Sequence, residues 1–144
     1  MFEHIAKARE SGDLDALVQA IPYARFLGLG VSLDNGSVLA TMRFSERIIG
    51  NPAIPALHGG TLGALLESTA IFELLWASET VVLPKTITIT VDYLRSARTV
   101  DTFARGVVTR QGRRVANVRV DAWQEDPANP IATAHCHFLI KREE

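Results

Sequence analysis

Residues 51–76 read NPAIPALHGGTLGALLESTAIFELLW, and this stretch decides the fold. Its second half contains almost only apolar and small residues, which predicts a helix from about His58 to Ala77. An HGG motif opens this helix, and the carboxylate of Glu67 lies in its middle. A carboxylate that is buried among apolar groups costs free energy unless a partner compensates. Glu67 therefore either has a function or is simply solvated.

Size, charge and cysteine content narrow the class of protein. A chain of 144 residues favours one domain with one hydrophobic core. Fifteen basic and sixteen acidic residues give a net charge of −1, which does not favour a nucleic-acid partner. Cys136, the single cysteine, excludes an internal disulfide and fits a reducing cytosol. The first twenty residues are too charged for a secretory signal, and the central helix is too short and too acidic to span a membrane. We expect a cytoplasmic protein without a membrane partner.

Three features precede the central helix. Residues 1–22 have apolar side chains at helical spacing, which predicts a helix from about Phe2 to Ile21 that Pro22 ends. Two strand-like runs flank the tripeptide DNG at residues 34–36, which is a strong signal for a β-hairpin. A loop with spaced prolines, GNPAIPA, then leads to the helix.

The C-terminal half predicts three or four antiparallel strands. In residues 81–94, Thr86, Thr88 and Thr90 alternate with isoleucine and valine, as in a strand with two different faces. Residues 102–123 predict a second hairpin, which turns near Gln111 and Gly112. Residues 131–141 predict a last strand.

This order of elements predicts a single α+β domain over residues 1–144, in which a curved antiparallel sheet wraps a long central helix. The sheet covers only one side of the helix, and a chain of this length has little left to cover the other side. We therefore expect a second copy of the chain to do so, in a homodimer.

The HGG motif suits the binding of a carbonyl oxygen. Free backbone N–H groups lie at a helix start, at the positive end of the helix dipole, and glycines allow a ligand to approach closely. Such donors stabilise the oxyanion that develops when a thioester or ester is attacked. Alternatively, Gly59 and Gly60 form only a tight turn, and His58 only caps the helix. Asn51 either orders its loop by local hydrogen bonds or positions a substrate.

Gly59 and Glu67 are too far apart to serve one carbonyl within one chain. Eight residues separate them, which is about 12 Å along a helix axis. Two copies with antiparallel central helices would bring the start of one helix beside the glutamate of the other. The sequence thus predicts an active site at the dimer interface, present twice.

The segment LHGGTLGALLESTA at residues 57–70, with an acid nine positions after the histidine, resembles the hotdog-fold acyl-CoA thioesterases. The most similar group is that of the phenylacetate-degradation (PaaI-type) and 4-hydroxybenzoyl-CoA thioesterases. The similarity continues through residues 91–98 and 109–123 and covers about Arg25 to Lys141. It implies the hotdog fold, here with an extra N-terminal helix, in dimers that often pair into tetramers. It also implies hydrolysis of an acyl-CoA substrate without a cofactor.

The resemblance further implies roles for individual residues. Gly59 donates its N–H to the thioester carbonyl, and Glu67 of the other chain acts as nucleophile or as general base toward water, with His58 in the same catalytic set. The nucleotide end of CoA follows the later strands and turns, where arginines could bind phosphate or remain solvated. The candidate substrate contacts are Asn51, Gly60, Ile71, Tyr93, Leu94, Arg95, Ser96, Arg110, Gly112, Arg113 and Arg114.

Two departures from the family pattern leave an alternative open. Ile71 stands where some relatives carry a serine or threonine that holds the water, and Pro52 stands where some carry glutamine or asparagine. Both favour a non-catalytic hotdog protein that binds acyl-CoA as a sensor or carrier, whereas Glu67 favours an enzyme. The absence of a Gly-x-Ser-x-Gly motif argues against a serine hydrolase.

The HCH tripeptide at residues 135–137 is the one other group that suggests chemistry. Two histidines without further ligands at suitable spacing are insufficient for a metal site, so we expect none. We expect Cys136 to pack as a small apolar residue.

Overall fold

The computed structural model describes residues 1–78 and 82–140 of the chain. The helices and strands are α1 (Phe2–Ser11), α2 (Leu14–Gln19), α3 (Pro22–Leu27), β1 (Leu29–Asp34), β2 (Ser37–Met42), β3 (Ile49–Asn51), β4 (Ile54–Leu57), α4 (Gly59–Ala77), β5 (Lys85–Tyr93), β6 (Thr102–Gln111), β7 (Val115–Trp123) and β8 (Ala132–Leu139). Val81 and Lys141, which the sequence assigned to strands, lie outside the described residues.

The core lies between one long helix and one sheet. Six strands form an antiparallel sheet in the order β1-β2-β6-β7-β8-β5, while β3 and β4 form a separate short hairpin. The 19-residue helix α4 packs against this sheet and makes most of its contacts with β2, β6 and β7. The predicted α+β hotdog architecture is therefore confirmed. Within the described residues, no helix has both the length and the apolar character that crossing a membrane requires.

The first hairpin turns at the predicted tripeptide. Asp34 pairs with Ser37, so Asn35 and Gly36 alone form the loop. Their φ angles are 51° and 76°, and a two-residue loop with positive φ at both positions matches the right-handed twist of the flanking strands. Asparagine and glycine adopt this conformation at low cost, so the local chemistry fixes the register of β1 and β2.

The prediction of one N-terminal helix that ends at Pro22 is wrong. Gly12 adopts the left-handed conformation (φ 72°) and ends α1. Pro22 begins α3, because proline lacks an N–H and its fixed φ suits the first turn of a helix. The helical region therefore extends to Leu27, beyond the predicted residues 1–22. The proline-spaced loop also differs from expectation, since it contains β3 and β4.

The two edges of the large sheet differ in how they are covered. At β1, the Asp15 carboxylate accepts the Val31 N–H (3.0 Å), and the Gln19 amide donates to the Leu29 carbonyl (3.1 Å). Helix α2 thus satisfies backbone groups that a further strand would otherwise use. At the other edge, β5 has only β8 as a neighbour among the described residues. The edge that remains open to another strand is β5.

A β-bulge in β5 changes the face on which one threonine lies. Thr86 pairs with Phe138 and Thr88 pairs with His137, so Ile87 is the extra residue. Cross-strand partners share a face of the sheet, and Phe138 is fully buried whereas His137 is exposed. Thr86 therefore faces α4 and Thr88 faces away from it. The predicted regular alternation of these threonines is wrong at this point.

Candidate active site at the start and middle of the central helix

His58 is the N-cap of α4. Its backbone is extended, and its Nδ1 accepts the N–H of Gly60 at 2.8 Å. Its carbonyl accepts two hydrogen bonds from Thr61, one from the backbone N–H (3.0 Å) and one from the hydroxyl (2.6 Å). The sequence left open whether His58 caps the helix or takes part in chemistry, and the structure places it in the capping position.

Gly59 combines a free donor with close packing. Within the described residues its N–H has no hydrogen-bond acceptor, whereas the next two N–H groups are both bonded to His58. The hydroxyl of Tyr93 donates to the Gly59 carbonyl at 2.8 Å. A Cβ at position 59 would lie 3.3 Å from the Tyr93 ring, so the neighbouring ring would have to move. One N–H at this helix start is thus available to a ligand, at a position that only glycine fits without adjustment.

Glu67 is half-buried and held by a threonine of the edge strand. The Thr86 hydroxyl donates to Glu67 Oε1 at 2.6 Å, a contact that the bulge at Ile87 makes possible. Thr86 was not predicted as a site residue, because regular alternation would place it with Thr88. A local departure from that alternation is not visible in the residue types.

Cys136 lies beneath this carboxylate. Burial, and secondly the charge of Glu67, raise the pKa of the Cys136 thiol from 9.0 to about 11. The side chain is 1% exposed. A thiol in this state is protonated and inaccessible near neutral pH, so Cys136 packs as the small apolar residue that we expected.

A second glutamate of α4 is more deeply buried than the first. Glu73 is 8% exposed, and its carboxylate accepts the Val38 N–H (2.9 Å) and the Ser37 hydroxyl (3.3 Å). It joins the helix to the start of β2, next to the first hairpin. The buried carboxylate with a mainly structural environment is therefore Glu73, whereas Glu67 lies at the border between helix and solvent.

One face of α4 is left partly uncovered by the chain. Nine of the nineteen helix residues are buried, and a stripe one to two residues wide is half-buried. Its members from the second turn onward are Gly63, Ala64, Glu67, Ser68 and Ile71. The small residues among them, Gly63, Ala64 and Ser68, allow a second helix to approach closely.

The predicted substrate contacts fall into groups at opposite ends of the sheet. Pairing of Tyr93 with Ala132 and of Lys85 with Leu139 sets the direction of β5. Because Leu139 also pairs with Val115, the turn between β6 and β7 lies at the Lys85 end. Tyr93, Leu94, Arg95 and Ser96 lie at the end near Gly59, whereas Arg110, Gly112, Arg113 and Arg114 lie at the opposite end. One protomer does not bring the two groups together.

The remaining predicted contacts have local partners or are open to solvent. The Asn51 side chain accepts the Ala53 N–H at 2.9 Å, which orders the β3–β4 turn. Arg95 reaches the side chain of Asn129 (3.4 Å). Among the described carboxylates, none pairs with Arg110, Arg113 or Arg114, and all three side chains are exposed. Within residues 1–78 and 82–140, no three side chains of histidine, cysteine, aspartate or glutamate lie close enough together to bind a metal ion.

Comparison with known proteins gives consistent matches. The family model of the thioesterase superfamily matches residues 55–131. The crystal structure of a protein from Chromobacterium violaceum aligns with a TM-score of 0.81 and 35% identity, over 99% of both chains. A Pseudomonas aeruginosa protein aligns with a TM-score of 0.77 and 25% identity, over 94% of this chain and 98% of that one. A phenylacetic acid degradation-related protein from Ralstonia eutropha has the same fold at 23% identity (TM-score 0.74, 86% of this chain and 96% of that one). No curated protein matches the chain.

Proposed function

The chain belongs to the thioesterase superfamily, and we propose that it hydrolyses the thioester bond of a small or aromatic acyl-CoA. Thioester hydrolysis is the activity class of this superfamily, as the resemblance of residues 57–70 implied. The main support for this proposal is the N–H of Gly59, which has no acceptor among the described residues. The N–H groups of Gly60 and Thr61 and the Gly59 carbonyl are all hydrogen-bonded. A fixed donor of this kind suits the oxyanion of acyl transfer.

The proposal requires a homodimer, and two features of the chain support one. Within residues 1–78 and 82–140 no strand lies on the outer side of the edge strand β5, which exposes 53% of Ile87 and 55% of Tyr93. Antiparallel pairing of two β5 strands places the Tyr93 end of one beside the Lys85 end of the other. Since Gly59 contacts Tyr93 and Glu67 contacts Thr86, this pairing brings the Gly59 of one protomer toward the Glu67 of its partner.

In this site Glu67 acts on water or on the substrate itself. As a general base, it takes a proton from water while the water oxygen attacks the carbonyl carbon, and the resulting oxyanion binds the Gly59 N–H. The C–S bond then breaks, and the CoA thiolate receives the proton. As a nucleophile, Glu67 attacks the carbonyl carbon, and the C–S bond breaks to give an anhydride and the CoA thiolate. Water then hydrolyses the anhydride, which restores the Glu67 carboxylate and supplies the proton that the thiolate takes. Both routes yield a carboxylic acid and CoA and need no cofactor.

Thr86 supports the enzymatic function over the alternative of a binding protein. The alternative rested on Pro52, where some relatives carry glutamine or asparagine, and on Ile71, where some carry a hydroxyl. Here the hydroxyl of Thr86 bonds the Glu67 carboxylate instead, from the neighbouring strand. It can orient the carboxylate for catalysis, so the hydroxyl that is missing from α4 is supplied by β5.

The same dimer would bring the two groups of predicted CoA contacts together. The arginines of the β6–β7 turn belong to the Lys85 end of one protomer, and residues 93–96 belong to the Tyr93 end of its partner. Guanidinium groups that pair with none of the described carboxylates are suited to bind the phosphates of CoA. A dimer of dimers is compatible with this arrangement. The lone thiol of Cys136 fits a reducing compartment, so the proposal locates the reaction in the cytoplasm.

Thiol release from a panel of acetyl-, hexanoyl-, benzoyl- and palmitoyl-CoA tests the proposal. We expect turnover of at least one member, and loss of that turnover in Glu67→Gln with retention of CoA-ligand binding, because the exchange keeps shape and removes charge. Glu10→Gln, an exposed exchange in α1, is the matched control and should be fully active. Binding of acyl-CoA without release of thiol by the wild type would favour the sensor or carrier.

A further inference from the structure

Tyr93 lies across the first turn of α4. Its hydroxyl donates to the Gly59 carbonyl at 2.8 Å. Its ring lies 3.3 Å from the position of a Cβ at residue 59, and its hydroxyl lies 3.8 Å from that of a Cβ at Gly63. Tyr93 is also the last residue of β5 and pairs with Ala132 of β8. The sheet therefore fixes the backbone of Tyr93, and its hydroxyl bonds the start of the helix.

Two consecutive peptide groups at this turn are fixed by side chains. In the peptide between His58 and Gly59, the carbonyl accepts both hydrogen bonds from Thr61. In the next peptide, the carbonyl accepts the Tyr93 hydroxyl and the N–H is bonded to the His58 ring. Since a peptide group is planar, a carbonyl of fixed direction also fixes the direction of the N–H in the same group. The Gly59 N–H therefore points in a direction that its neighbours determine.

We propose that Tyr93 and Thr61 are positioning residues for the oxyanion donor of the thioesterase site. This inference rests on the proposed function and extends it to residues that touch the donor rather than the reacting carbonyl. Thr61 fixes and polarises the peptide that carries the Gly59 N–H, because a hydrogen bond to the carbonyl strengthens the N–H of the same group. Tyr93 prevents the following peptide from rotating. From the sequence, Tyr93 was predicted only as a contact for CoA.

The location of Tyr93 also links this turn to dimer formation. In the protomer 55% of its surface is exposed, on the edge strand that is open to a partner. Pairing of the edge strands would cover the ring and restrict its motion. The second copy then contributes Glu67 and, through β5, also holds the donor of the neighbouring site in place.

Removal of single hydroxyl groups separates this role from packing. Tyr93→Phe keeps the ring against Gly59, and Thr61→Val keeps the shape of the side chain. For each variant we expect kcat to fall about 3- to 10-fold, as for loss of one oriented hydrogen bond, with KM changed less than about twofold. The matched controls are Tyr23→Phe in α3 and Thr133→Val, whose hydroxyl bonds the Val120 carbonyl and the Asp121 carboxylate of the neighbouring strand β7. Both controls should retain wild-type kcat.

The infrared stretching frequency of the substrate's thioester carbonyl reports directly on the Gly59 donor. A change in protein stability does not alter this frequency. We would use the panel member with the highest kcat/KM, labelled with ¹³C at the thioester carbonyl and bound to Glu67→Gln, which should not turn over. Infrared difference spectra should show a lowered stretching frequency, because the Gly59 N–H polarises the carbonyl. Adding Tyr93→Phe or Thr61→Val should reduce that lowering. If both Tyr93→Phe and Thr61→Val keep the wild-type kcat, and neither changes the carbonyl frequency seen in Glu67→Gln, the positioning role is wrong but the proposed function stands. Full turnover in Glu67→Gln would instead contradict the proposed function.

Discussion

Replacement of Glu73 by alanine should destabilise the fold far more than the same change at Glu67, although both residues lie on α4. Glu73 is 8% exposed and accepts hydrogen bonds from the Val38 N–H and the Ser37 hydroxyl. Alanine would leave the N–H of fully buried Val38 without this acceptor. The half-buried Glu67 has one hydroxyl partner, Thr86, which can bond water instead.

The expected size of the effect follows from these contacts. A buried donor that loses its partner costs about 1–3 kcal/mol, and a hydrogen bond to a charged group contributes about 1.5–3 kcal/mol. Relief from burying the charge offsets part of this loss. We expect Glu73→Ala to lower the free energy of unfolding by about 2–4 kcal/mol, and Glu67→Ala to lower it by less than about 1 kcal/mol. Glu73→Gln keeps an oxygen for Val38 and should cost about 1 kcal/mol or less.

Urea unfolding, followed by far-UV circular dichroism, measures these differences. All variants must be compared at one protein concentration, because dimer formation contributes to the apparent stability. The accompanying decrease in Tm for Glu73→Ala should be about 2–4 °C per kcal/mol for a domain of this size. Equal unfolding midpoints for Glu73→Ala and the wild type would refute the structural assignment of Glu73. So would a larger loss for Glu67→Ala than for Glu73→Ala.

Three further predictions concern the site and the sheet edges. Thr86→Val should lower kcat about tenfold while KM stays constant, because Glu67 loses its orienting hydroxyl; unchanged kcat would contradict this role. The pKa of Cys136 is raised from 9.0 to about 11 in the folded state, so the unfolded chain loses this proton first and stability falls as pH rises from about 9 to about 11. Wild type should therefore lose up to about 2–3 kcal/mol more than Cys136→Ala over this range, and parallel stability curves would argue against the shift. Asp15→Ala should expose the edge of β1 by freeing the Val31 N–H, and a rise in aggregation measured by light scattering is the expected result.

Local chemistry allowed the sequence to predict much of the fold. The φ angles of Asn35 and Gly36 are those that these two residue types adopt at low cost, so the first hairpin was predictable. The HGG motif and the apolar run after it gave the start and the extent of α4. The N-terminal helices were less predictable, because proline ends a preceding helix and also begins a new one, and only packing decides which.

The positions of Gly59 and Glu67 on α4 were predictable from sequence spacing, whereas their tertiary contacts were not. The same spacing is the basis for the proposal that a second chain completes the site. Helix α4 is apolar almost all round, so its periodicity could not reveal that Glu73 is more buried than Glu67. The contact of Thr86 with Glu67 depends on a bulge, and the contact of Tyr93 with Gly59 depends on where β5 ends. Neither contact can be predicted from the pattern of residue types.

Complementation between two inactive variants tests most directly whether one protomer supplies the acid and its neighbour the oxyanion donor. Glu67→Gln and Gly59→Val, co-expressed with different affinity tags and purified through both, form dimers with one intact site and one doubly altered site. The account predicts about half of wild-type activity for these mixed dimers and almost none for either variant alone. Mixed dimers that are as inactive as the two parents would contradict it.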